Sequence, residues 1–190
     1  LNSSRQPGID PGTRHDFAWA AYNMGKVTQA QEAMQRLVTE APNSPQSEDA
    51  KSFLTLTTIA ETGKDLAAAE PEVQKILAAN PTSVPALMVR AALQAQRGDT
   101  KAAEAIYTQI LARLPEFAPA QKQLATIYVA DPATREKAYG MVVKARVSLP
   151  DEPDLARTLA ELSFHRRDFA GAIQFFQESA KKQPLEAKDL

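Results

Sequence analysis

The stretch Ala86 to Pro115, ALMVRAALQAQRGDTKAAEAIYTQILARLP, decides the architecture. Two helical patterns are separated by Gly98-Asp99, and Pro115 closes the second. In the second pattern Ala103, Tyr107 and Ile110 recur at intervals of four and three, which places them on one helix face. The same ending returns as Ala30, Met34, Leu37 and Pro42, and as Ala69, Val73, Ile76 and Pro81. It returns again as Ala138, Val142, Ala145 and Pro150, and as Ala172, Phe176, Ser179 and Pro184. The prolines at 81, 115, 150 and 184 are 34, 35 and 34 residues apart, the period of a helix–turn–helix unit repeated in tandem.

Composition agrees with an all-helical chain. Glycine is scarce at 7 residues, and alanine, the best helix former, is common. The 13 prolines fall almost entirely between helical patterns or within a first turn, where a missing N–H costs little. The net charge of −1, with no long basic run, argues against nucleic acid or an anionic membrane as the main partner. Without cysteine there is neither a disulfide frame nor a thiolate zinc site. No apolar run approaches the roughly 20 residues that span a bilayer, so membrane insertion is not expected. The chain starts at Leu1 and shows no signal peptide, so a fragment or processed chain is expected. Cytoplasm and periplasm both stay open as its compartment.

In chain order, residues 1–12 form a polar tail or the end of a missing repeat, and 13–184 form the repeat array. Repeat one, 13–42, has a first helix over about 13–24 with Phe17, Ala18 and Ala21 on one face. Gly25 marks its turn. Repeat two, 47–81, carries Glu48 and Asp49 at the positive end of its first helix. Pro42 to Pro81 is about five residues longer than the usual spacing, and the excess is assigned to 63–70. Either the first helix extends through Gly63, or 64–69 is a separate turn. Pro71 is expected in the first turn of the second helix. Repeat three, 84–115, takes Thr82 or Ser83 as its cap. Repeat four, 118–150, takes Asp131 as its cap and one extra residue in its connection. Repeat five, 153–184, turns at His165-Arg166-Arg167-Asp168, with Ala172, Ile173 and Phe176 facing inward. Residues 185–190 begin a truncated further helix.

These residues resemble the tetratricopeptide repeat, whose pattern is W-x2-L-G-x2-Y, then A-x3-F, then P. It stands here as Leu124-Ala125, Tyr128, Ala138, Val142, Ala145 and Pro150, and again as Leu159-Ala160, Ala172, Phe176 and Pro184. The resemblance covers 13–184 as five repeats in phase. Arg90, Gln94 and Ser163 depart from the usual apolar or tyrosine residues. The resemblance implies an all-α, right-handed superhelical solenoid of antiparallel helix pairs, its concave face lined by the first helices. A lone pair cannot bury its apolar face, so neighbouring pairs must stack.

By that register the groove-facing residues are His15, Trp19 and Tyr22, Leu54 and Thr58, and Met88 and Ala92. Lys122 and Thr126, and Arg157, Glu161 and Phe164, complete the row. The mixed apolar and polar row suits a peptide groove. Trp19 and Tyr22 are equally expected to cover core. Lys122 and Arg157 are suited to holding a carboxylate, although solvated charges are the commoner case. The Lys/Asn carboxylate clamp of one family subclass is missing, because its positions hold His15, Trp19, Leu54, Thr58, Met88 and Ala92.

No catalytic, cofactor or metal site is expected. The two histidines, His15 and His165, lie far apart, and the chain has no phosphate loop, H-E-x-x-H or nucleophile elbow. The expected function is a non-catalytic scaffold that binds a protein or peptide in the concave groove. The alternative is a structural spacer or self-associating segment of a larger, bacterial, multi-repeat protein.

Overall fold

The computed structural model describes residues 9–182, and these form ten helices without a strand. In order they are α1 (Pro11–Asn23), α2 (Val27–Glu40), α3 (Ser47–Thr62), α4 (Leu66–Ala79) and α5 (Val84–Gln96). Then follow α6 (Thr100–Arg113), α7 (Ala118–Val129), α8 (Arg135–Ser148), α9 (Pro153–His165) and α10 (Phe169–Lys182). Residues 1–8 of the expected tail, Pro184 and the truncated helix expected over 185–190 lie outside the described residues. The chain divides into two compact units between Arg97 and Gly98.

Local chemistry sets the helix ends. The Asp10 carboxyl accepts from the Thr13 N–H at 3.0 Å, and Pro11 occupies the first helical position, where no N–H is needed. Asp99 caps α6 through the Ala102 N–H at 3.0 Å, and Asp168 accepts from the Gly171 N–H at 2.9 Å. Gly25 and Gly98 make their turns with φ of 76° and 82°, a left-handed conformation that glycine adopts without a Cβ penalty. Arg167 makes the equivalent turn with φ of 63° and no such relief.

In the first unit α1 packs on α2, α2 on α3, and α5 against both α3 and α4. In the second, α6 packs on α7, α7 on α8, α8 on α9 and α9 on α10, with α7 also against α9. The second helices present the repeated triplet to these contacts. Ala30, Met34 and Leu37 are buried, as are Ala103, Tyr107 and Ile110, and Ala138, Val142 and Ala145. Ala103 is fully buried, so Ala103→Leu is expected to overpack its contact and cost about 1–3 kcal/mol. Thermal unfolding checks this, and an unchanged Tm would place Ala103 off the contact.

Several local expectations are corrected. Helix α1 starts at Pro11, and Phe17 is exposed beside the buried Ala18 and Ala21. Of the two alternatives for repeat two the extended first helix holds, ending at Thr62 with Gly63 as its C-cap, and the excess does not lie over 64–70. It lies in α3, which has 16 residues, and in a longer lead-in after Pro42. Helix α4 keeps the common length of 14 residues, and Pro71 sits inside it, past the first turn. Ser83 stands at the N-cap of α5 as expected, although its side chain makes no capping bond. Thr134, not Asp131, caps α8, while Asp131 closes a tight turn on the Ala133 N–H at 2.9 Å. Ile173 is exposed, because the buried side of α10 runs through Ala172 and Ser179. None of the described helices is long and apolar enough to cross a membrane.

Candidate functional site

The first helices carry the candidate row, and the two units hold separate parts of it. In the first unit His15, Trp19 and Tyr22 follow one another at intervals of four and three along α1. Their neighbour is α3. The Trp19 Nε1–H donates to Asp49 Oδ2 at 3.1 Å, and the His15 Nε2 lies 2.8 Å from the same oxygen. The Trp19 Nε1–H also lies 3.2 Å from the His15 Nε2, so the indole, the imidazole and the Asp49 carboxyl form one polar cluster. The Trp19 ring then stands edge-on to Phe53 at 5.2 Å and to Tyr22 at 6.2 Å.

Burial separates these residues. Trp19 and His15 are half-buried, whereas Tyr22 is buried at 2% exposure and packs edge-on against Phe53 at 5.0 Å. Burial, reinforced by the Glu61 charge, pushes the Tyr22 phenol well above the ordinary tyrosine range. Tyr22 therefore supplies core, not groove surface. Met88 is likewise buried, and Ala92 packs on the cluster of Leu56, Val73, Val89 and Leu93. Leu54 is half-buried and Thr58 exposed on α3.

In the second unit the positive candidates are already engaged by carboxylates of this chain. Lys122 Nζ lies 3.2 Å from Glu152 and 3.6 Å from Asp154. The Arg157 guanidinium donates to the other Asp154 oxygen at 3.0 Å. Lys122 thus ties α7 to the start of α9, while the Arg157–Asp154 pair lies within α9. Thr126 is exposed and its hydroxyl donates to the Lys122 carbonyl within the helix. Glu161 is exposed, and Phe164 is exposed with its ring 5.7 Å from Phe169.

Asp49, Phe53, Glu152 and Asp154 belong to these surroundings although the sequence register did not select them. Dipole and capping arguments account for the acidic residues at the helix starts. A second signal was present: Asp49 lies 34 residues after His15, one repeat period. Among the described residues no group of three His, Cys, Asp or Glu side chains could hold a metal ion.

Two tetratricopeptide repeat models match the sequence, one over residues 17–44 and the other over 60–119 and 136–187. The chain belongs to the tetratricopeptide repeat family, a family of helical-repeat interaction scaffolds. Its fold is similar to that of pilF from Pseudomonas aeruginosa, with a TM-score of 0.57 and 15% identity over 94% of this chain and 79% of that one. A tetratricopeptide repeat protein from Parabacteroides merdae gives a TM-score of 0.53 and 18% identity over 93% of this chain and 68% of that one. A thermophilic repeat protein from Thermus thermophilus gives 0.52 and 19% over 95% of each chain. At these identities the likeness is one of fold. No curated protein matches the sequence.

Proposed function

We propose that this chain is a non-catalytic scaffold that binds a protein or peptide partner along the exposed side of its first helices. The observation that carries the reading is Trp19. Its indole is half-exposed, yet its N–H is anchored on Asp49 and its edge on Phe53. An aromatic ring fixed this way offers contact area with little rotamer entropy left to lose. The contact row in the first unit is His15, Trp19, Leu54 and Thr58. In the second it is Lys122, Thr126, Arg157, Glu161 and Phe164. The near-neutral charge supports a protein partner rather than nucleic acid.

The test compares wild type with Trp19→Ala in partner capture followed by titration, after circular dichroism confirms equal helicity. Trp19→Ala is expected to weaken the captured partner roughly tenfold or more. Equal affinity in the folded variant would remove Trp19 from the site.

A second reading, self-association, is supported by exposed apolar side chains. Ile9, Phe17 and Met24 are exposed in the first unit, and Phe164, Phe169 and Ile173 in the second. Sedimentation at rising concentration separates the readings, since a strict monomer rules out self-association.

A further inference from the structure

Repeat two is built differently from repeats one, four and five. Helices α1 and α2, α7 and α8, and α9 and α10 each pack along one another, whereas α3 and α4 meet far less closely. Of the triplet on α4 only Val73 is buried, and Ala69 and Ile76 stay partly open. A cleft of about 720 Å3 separates the two helices. Leu56, Ile59 and Ala69 line it, with Glu48 and Lys51 of α3 facing Glu72 and Lys75 of α4. A second cavity of about 470 Å3 lies on the other flank of α4, against α5. Helix α4 therefore has free space on both sides.

Leu66 and Val73 hold α4 in one buried cluster with Leu56 of α3 and Ala86, Val89 and Leu93 of α5, and its other attachments are few. The turn that leads into it has two left-handed residues, Gly63 with φ of 66° and Asp65 with φ of 57°. Asp65 makes no side-chain cap, unlike Asp99 at the equivalent place. On the α5 side, Arg97 grips Glu70 through two bonds of 2.9 and 2.7 Å. Those bonds hold the Glu70 carboxyl below the usual carboxylate range.

The charges across the cleft are complementary. In an antiparallel pair, the start of α3 meets the end of α4. The register that sets Lys51 against Glu72 also sets Glu48 against Lys75, and Thr55 against Ala68. At present each helix satisfies its own charges, Lys51 with Glu48 at 2.6 Å and Lys75 with Glu72 at 3.8 Å.

We propose that α4 swings about Gly63–Asp65 between this open position and a closed one against α3. Closure exchanges the pairs within each helix for Lys51–Glu72 and Glu48–Lys75, and buries Ala69 as Ala30 and Ala103 are buried. The Glu70–Arg97 pair holds the open position.

The chain has no cysteine, so an introduced pair reports cleanly. Thr55 and Ala68 are exposed and both line the cleft. The full chain carrying Thr55→Cys and Ala68→Cys is expected to cross-link under mild oxidation, much faster than a Thr55→Cys, Ala67→Cys control turned off the cleft. Adding Lys51→Glu together with Glu72→Lys sets like charges within each helix but keeps opposite charges across the cleft, and should speed cross-linking roughly two- to fivefold, the span of an exposed ion pair. Arg97→Ala should speed it. All these positions are exposed, so the core stays intact. Cross-linking no faster than the control, or indifferent to the charge reversals, would overturn the proposal. Spin labels at 55 and 68 give an independent reading. Two distances are expected, and a single long one would also overturn it.

Discussion

Phe53→Ala is expected to cost the first unit about 3–5 kcal/mol, the usual range for emptying a buried aromatic site. Phe53 is 2% exposed and lies between two other rings, 5.2 Å from Trp19 and 5.0 Å from Tyr22, both edge-on. Removal loses the transfer energy of the ring and leaves a cavity. It also loses two aromatic contacts worth about 0.5–1.5 kcal/mol each beyond their area. The unit cannot close over that void without moving α1, whose Trp19 is tied to Asp49 on the same helix as Phe53. Denaturant unfolding measures the loss, and Trp19, the single tryptophan, reports on the site itself. A loss under about 1 kcal/mol would mean that α1 does not pack on α3 as described.

Alkaline pH is expected to weaken the fold through its buried phenols. Burial pushes the Tyr107 hydroxyl up to about 12 from an ordinary value near 10. The folded state keeps the phenol neutral, while the unfolded state ionises it two units earlier. Stability from this group is therefore complete below about pH 10 and falls as pH rises towards about 12. The loss amounts to about 3 kcal/mol for a shift of this size. Tyr22, raised by burial and by Glu61, acts in the same direction. Denaturant midpoints at about pH 9 and pH 11, for wild type and Tyr107→Phe, isolate the Tyr107 share. Tyr107→Phe should lose less stability between the two. Equal losses in both proteins would contradict the buried phenol.

The candidate site was legible in part. Register placed Trp19 and His15 correctly side by side on α1, because a helix face follows from spacing alone. It could not separate Trp19 from Tyr22, three residues on, since both lie towards α3. Which of them is covered depends on where Phe53 projects. It also offered Lys122 and Arg157 as suited to holding a carboxylate, with a solvated charge as the commoner case, whereas Asp154 engages both. The Lys122–Asp154 pair joins residues about 30 apart in sequence, beyond the reach of any local pattern, whereas Arg157 and Asp154 are one helical turn apart.

What the sequence determined by itself is the repeat and its register. The triplets of α2, α6 and α8 are buried where the spacing of four and three put them, because helical periodicity is a local property. The turn glycines followed from local chemistry too, at Gly25 and Gly98. The tertiary structure alone decided how far each pair closes. Helix α4 carries the same triplet as its neighbours, yet the longer α3 and the turn with two left-handed residues leave it apart from its partner. Pattern fixes which face of a helix is apolar, but only the packing of neighbouring helices determines how much of that face is covered.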